Sequence, residues 1–209
     1  MGFFDKFRNN NSWNIKFIKI VKIRVFFYKG NLLVKLEMYP EALEAYDKAL
    51  CLNPNDIEVL VNKGAVLNDL GKYNEALELF DKILELDTNY LEIIWNNKGV
   101  AFGGLGNHQK AAECYDKCLK LDPNDVELLL NKGYSLDKLG KYQEALECYN
   151  KVLEKYPKEH MVLYQKGIAL RNIGENEEAL KCFDEALELE PEFEDAKKAK
   201  SEILKLIKS

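Results

Sequence analysis

The residues of this 209-residue chain that could do chemistry are few and scattered. Nucleophilic or acid–base catalysis needs a reactive side chain, a base within hydrogen-bond reach and a group that orients the base. His108 and His160 are the only imidazoles, and neither stands in such a constellation. Both are expected at inter-helix corners or facing solvent. Five cysteines, at 51, 114, 118, 148 and 182, form no CxxC pair. An odd count without metal spacing reads as reduced thiols, neither a disulfide framework nor a zinc site. Carboxylates come in runs such as Glu185 to Glu192 with lysines nearby, which suits solvated helix faces and matches no calcium loop. Gly103-Gly104-Leu105-Gly106 is glycine-rich, but no Gly-Lys-Ser or Gly-Lys-Thr follows, so a phosphate loop is not indicated. It reads as a helix end, where two interior glycines cost about 2 kcal/mol relative to alanine and predict fraying. No catalytic residue, metal ligand or cofactor is expected, and the chain is not read as an enzyme.

What does recur is an amide. Asn62-Lys63-Gly64 returns as Asn97-Lys98-Gly99 and Asn131-Lys132-Gly133, with Tyr28-Lys29-Gly30 and Gln165-Lys166-Gly167 as variants. The glycines are 34, 35, 34 and 34 residues apart. Twelve residues after each glycine stands an alanine, at 42, 76, 111, 145 and 179. Four further on stands an aromatic, Tyr46, Phe80, Tyr115, Tyr149 or Phe183. A fixed period of this length marks a repeat architecture.

Each unit carries apolar residues at helical spacing in two segments, so each is a helical hairpin. The small residues permit close approach: Gly64 and Ala76 let two helices meet while Phe80 fills the space beside them. Gly71, Gly106, Gly140 and Gly174 end the first helices, since glycine adopts the left-handed conformation that closes a helix. Pro54, Pro123, Pro157 and Pro191 follow the second helices, which proline cannot continue. Asp56 and Asp125 are placed as N-caps. Glu37 replaces the turn glycine of the first unit, Thr88 the proline of the second, and one extra residue near Tyr90 or Leu91 precedes the third.

The period, the Gly, Ala, aromatic and Pro positions and the helix-turn-helix form resemble the tetratricopeptide repeat. The resemblance implies an all-α solenoid of antiparallel helix pairs. It covers five repeats, 23–56, 57–90, 92–125, 126–159 and 160–193, followed by a capping helix at 194–209 with apolar residues at Ala196, Ala199, Ile203, Leu204 and Ile207. It also implies a concave groove lined by the first helix of each repeat, with Asn62, Asn97, Asn131 and Gln165 pointing into it. An amide offers one acceptor and two donors, enough to hold peptide backbone whatever its sequence; bridging neighbouring helices is the equal alternative. Asn31 and Tyr134 join the candidate peptide site. Phe27, Val61, Val100, Leu130, Tyr164 and Ile168 are expected beside it, with the charges of Arg24, Lys35 and Arg171 offset by Glu58, Asp69, Glu127 and Asp137. The two-carboxylate clamp of chaperone-binding relatives is absent: Asn31 and Asn62 match it, but Phe27, Ile93 and Asn97 occupy its cationic positions. No capture of a chaperone tail by that clamp is expected.

Net charge sets the remaining limits. Residues 1 to 29 hold seven Lys or Arg and one acid, a net +6, so from −5 overall the remainder carries −11. A polyanion needs a strong excess of cations, and the body lacks one, so nucleic acid is not the expected partner. Segment 1–22 is apolar and aromatic as well as basic: Phe3, Phe4, Phe7, Trp13, Ile15, Phe17, Ile18, Ile20 and Val21 stand among its lysines, with Asn9 to Ser12 expected to set off a flexible tip. It reads first as an N-terminal capping helix on the first repeat. A membrane-surface anchor and a basic arm on nucleic acid are the alternatives. The expected function is a cytoplasmic scaffold or adaptor that holds an extended peptide of a protein partner. The alternative is a peripheral tether at the inner membrane surface, using residues 1–22, while the repeats recruit a partner.

Overall fold

The computed structural model describes the backbone of residues 3–86 and 89–208 and the side chains of 13–86 and 89–206. Among the described residues the chain is helix and turn, without strands. The helices are α1 (Phe3–Lys35), α2 (Tyr39–Leu52), α3 (Ile57–Asp69), α4 (Tyr73–Leu86), α5 (Leu91–Gly104), α6 (His108–Leu119), α7 (Val126–Lys138), α8 (Tyr142–Lys155), α9 (His160–Asn172), α10 (Asn176–Leu189) and α11 (Glu194–Lys208). They form two compact units, Met1–Asn97 and Lys98–Ser209.

The repeated small and aromatic residues build every hairpin alike. Ala42, Ala76, Ala111, Ala145 and Ala179 are fully buried. Each aromatic ring packs against its repeat's glycine, so that a methyl group on Gly64 would come within 2.6 Å of Phe80, and one on Gly167 within 2.5 Å of Phe183. Gly71 and Gly140 have φ of 71° and 73°, and the bonds Lys72 N–H to Leu67 O and Lys141 N–H to Leu136 O (2.8 and 2.9 Å) close the helices before them. Glu37 adopts the same conformation, φ 58°, at the first turn. Asp56 and Asp125 cap α3 and α7, accepting from Val59 N–H (3.4 Å) and Leu128 N–H (2.9 Å).

Two expectations change, and the extra residue of the third repeat is placed. Gly103 and Gly104 remain helical as the last two residues of α5, because bonds from Gly106 N–H to Gly103 O and from Asn107 N–H to Phe102 O fasten its end. The extra residue of the third repeat extends α5 at its N-terminus to fourteen residues, where α3, α7 and α9 have thirteen. Residues 3–22 form no separate capping element and no tip set off at Asn9 to Ser12, but continue α1 without a break. Neither proline nor glycine interrupts that stretch. Its described side chains do not pack as a cap: Trp13, Ile15, Phe17 and Ile20 are exposed, and burial starts at Ile23 and Phe27. The expectations for Phe3, Phe4, Phe7, Thr88 and the Ile207 side chain lie outside the described residues.

The first repeat shows what lacks a neighbour. Val59 and Val66 of α3 are 0% and 2% exposed because they pack on Ala42, Tyr46 and Ala49 of the preceding hairpin. Their equivalents in α1, Val25 and Leu32, are both 58% exposed. At the other end, α11 packs on α10 through Ala196, Ala199 and Ile203, all buried, and Lys200 reaches Asp184 at 2.5 Å.

Candidate peptide-binding faces

The two histidines serve as packing groups. His108 meets the Tyr134 ring edge-on at 6.2 Å and His160 meets Phe193 at 5.5 Å. All five cysteines are free, with Cys114, Cys118, Cys148 and Cys182 buried and Cys51 exposed. Burial pushes the Cys148 and Cys182 thiols up, away from the reactive thiolate. Among the described residues no three His, Cys, Asp or Glu side chains are grouped to hold a metal ion.

In the N-terminal unit, the amides of the first two repeats bind each other. Asn31 Oδ1 accepts from the Tyr46 hydroxyl at 2.7 Å and from Asn62 Nδ2 at 3.0 Å. Burial pushes the Tyr46 phenol up to about 12, against a hydrogen bond with Asn62 that acts the other way. A cavity of about 290 Å³ opens beside this trio, bordered by Val34, Lys35 and Asp69. Asn97 donates to the Ile93 carbonyl one turn back at 2.8 Å, while its own carbonyl accepts from buried Asn68 at 2.9 Å. Phe27 and Val61, expected in the groove, are core residues, each 8% exposed. Phe27 faces the Tyr46 ring at 6.4 Å and Val61 joins the cluster around Phe80. Arg24 is paired with Glu58.

The C-terminal unit arranges the same positions differently. Leu130, Asn131 and Tyr134 of α7, Tyr149 of α8, and Met161, Val162 and Gln165 of α9 line a cavity of about 240 Å³. Among the described residues, the side-chain amides of Asn131 and Gln165 make no hydrogen bond with the protein. Tyr134 and Met161 at its edge are 46% and 49% exposed, and Lys138 Nζ stands 5.0 Å from the Tyr134 ring centre. At the floor, the Tyr149 hydroxyl donates to Asp137 Oδ2 at 2.6 Å. Tyr164 is half-buried between Phe183 and Phe193, and Arg171 pairs with Glu202 of α11 at 3.0 Å.

Asp137 supplies a pH prediction. Burial holds its carboxyl above the usual carboxylate range, although the Tyr149 donor favours ionisation. The fold therefore favours the protonated acid, a stabilisation present below the unfolded pKa and lost as pH rises through the folded one. Asp137→Asn keeps an acceptor for Tyr149 and removes the titration. Its melting temperature is expected to exceed that of the parent near neutral pH, with the difference shrinking toward about pH 4, the ordinary range of a carboxyl group; thermal melts by circular dichroism across that range check it.

One set of contacts was legible in the sequence but falls outside the amide series. The lysine beside each glycine reaches back to an aspartate that directly follows the preceding repeat's aromatic: Lys63 to Asp47 at 2.5 Å and Lys132 to Asp116 at 2.6 Å. The signal is an Asp sixteen residues before the Lys, and Lys200 and Asp184 continue it into α11.

A helical-hairpin solenoid with small and aromatic residues in register defines a class of protein-interaction modules. Within that class, this chain belongs to the tetratricopeptide repeat family, whose signature matches residues 23–56, 57–90, 93–125, 126–159 and 161–193. Among solved structures, MamA is similar at 26% identity with a TM-score of 0.71, over 81% of this chain and 92% of that one. YrrB, described as a TPR protein with an unusual peptide-binding site, is similar at 26% identity with a TM-score of 0.72, over 84% of this chain and 90% of that one. MamA from Desulfovibrio magneticus RS-1, at 22% identity and a TM-score of 0.75 over 82% of this chain and 97% of that one, shares the fold. No curated protein sequence matches the chain. The chain is a protein-interaction scaffold of a family whose members bind protein or peptide partners and are typically non-enzymatic. No described helix is long and apolar enough to cross a membrane.

Proposed function

We propose that this scaffold binds an extended peptide segment of a protein partner, and that the C-terminal unit holds it through Asn131, Tyr134 and Gln165. The observation that carries this reading is the pair of side-chain amides without internal hydrogen bonds, beside exposed Tyr134 and Met161 on an apolar cavity. Backbone amides and carbonyls of a peptide match those donors and acceptors, and an aromatic ring adds contact area at small entropic cost. Asn31 and Asn62 are assigned mainly to structure, since their amides are joined to each other and to Tyr46; Asn97, whose amide gives one hydrogen to the Ile93 carbonyl, keeps one donor hydrogen and its acceptor. A peptide-binding site in YrrB, a structure of the same fold, supports the reading by analogy. The tether reading through residues 1–22 finds no support in the family or in its structural neighbours.

Panning a displayed library of unstructured twelve-residue peptides on the full chain tests the proposal. Selected peptides are expected to bind the Asn131→Ala, Gln165→Ala double variant about ten-fold more weakly, the equivalent of one or two net hydrogen bonds, while its unfolding curve stays close to that of the parent. Undiminished binding to the double variant rejects the site.

A further inference from the structure

The Lys–Asp register that joins successive repeats is broken once within the C-terminal unit, and a cavity of about 610 Å³ lies at the break. Lys132 meets Asp116 at 2.6 Å and Lys200 meets Asp184 at 2.5 Å. Between them, the lysine at the same position is Lys166, and the residue sixteen before it is Asn150. Among the described residues Lys166 has no ion pair, and Asn150 makes no hydrogen bond to it. Both face a cavity of about 610 Å³ between α8 and α10, floored by Leu163 and Leu170 of α9. The corresponding cavity at the intact Lys132–Asp116 pair measures about 170 Å³.

We infer that this cavity is a second binding site, on a face distinct from the Asn131–Gln165 site, which takes one aspartate or glutamate side chain of a partner peptide. The incoming carboxylate supplies the acid the repeat lacks at this junction. Lys166 Nζ is a cationic donor, and Asn150 Nδ2 offers a neutral donor where the other junctions carry an acceptor, so the two together can hold one carboxylate. The rim defines the rest of the ligand. Glu147, Glu175, Glu178 and Glu185 border the opening, and its other cation, Lys181, is matched to Glu178 at 3.9 Å. This field repels a phosphate group or an acidic run and favours Lys or Arg on either side of the single acid. The partner is therefore a protein segment with one carboxylate flanked by apolar and then cationic residues.

Two blocked pentapeptides, Lys-Leu-Asp-Leu-Lys and its Lys-Leu-Asn-Leu-Lys counterpart, titrated into the full chain and followed by amide NMR, provide the test. The Asp peptide is expected to saturate at millimolar concentration or below and to bind about ten-fold more tightly than the Asn peptide, the usual gain for a charge-assisted hydrogen bond, with shifts centred on Lys166, Asn150 and Cys182. Asn150→Asp restores the acid found at residues 47, 116 and 184, so it should fold, and it is expected to remove the preference for the Asp peptide. Equal affinity for the two peptides, unchanged preference in Asn150→Asp, or no saturation of the parent by the Asp peptide at millimolar concentration each overturns the inference. The Asn131→Ala, Gln165→Ala variant should bind the Asp peptide as the parent does; loss there would place the peptide on the other face and overturn it as well.

Discussion

Phe183→Ala is expected to lower stability by about 3–5 kcal/mol, the range for removing a large buried aromatic. The ring is fully buried, lies against Gly167 in its own hairpin and packs with Tyr164 at 5.9 Å. It belongs to the cluster that runs from Ala112 to Ile203, so its loss leaves a void that two rigid helices cannot close. Urea unfolding followed by circular dichroism gives the value. Gly167 provides the control: a methyl group there would approach the Phe183 ring to 2.5 Å, so Gly167→Ala should destabilise by overpacking, about 1–3 kcal/mol, despite alanine's better helix propensity. Combined with Phe183→Leu, which frees the space, the same Gly167→Ala change should cost less than it does alone. Full additivity would mean that the glycine is not kept small by the ring.

Ile203→Ala carries the second large effect, a loss of about 2–5 kcal/mol. Ile203 is fully buried although it lies only six residues before Ser209, because α11 covers the apolar side of the fifth hairpin. A solenoid end without such a helix presents open core to solvent. The variant is therefore expected to unfold at lower urea concentration and to bind a hydrophobic dye before its main transition, whereas exposed Leu206 in the same helix should tolerate alanine with little change. Equal effects at the two positions would show that α11 does not cover the core.

The hairpins and their ends were legible because the residues responsible act on their immediate neighbours. Glycine at 71 and 140 closes a helix through its own backbone freedom, Asp125 reaches an amide three residues on, and each aromatic meets a glycine of its own hairpin. The groove was less legible. Asn62 and Asn131 are one residue type at one repeat position, yet Asn62 is bonded to Asn31 of the preceding repeat while the Asn131 amide is not held by the protein. The difference arises at partners that the period alone does not rank: the Tyr46 hydroxyl turns to Asn31, whereas the equivalent Tyr149 hydroxyl turns to Asp137. Likewise Phe27 and Val61 adjoin groove positions in sequence but point about 100° away around the helix, into the hairpin.

By itself, the sequence determined the family, the number of repeats and the hairpin form, since each follows from residue type at a fixed offset along one or two helices. The tertiary structure decided the rest: that residues 3–22 extend α1, with Trp13 and Phe17 exposed, instead of forming a separate cap on the first repeat, which amides have their hydrogen bonds filled from within, and that the missing aspartate at Asn150 coincides with a cavity. These depend on the distances between side chains brought together from different helices, and small differences in those distances separate a bonded amide from one left open to a ligand.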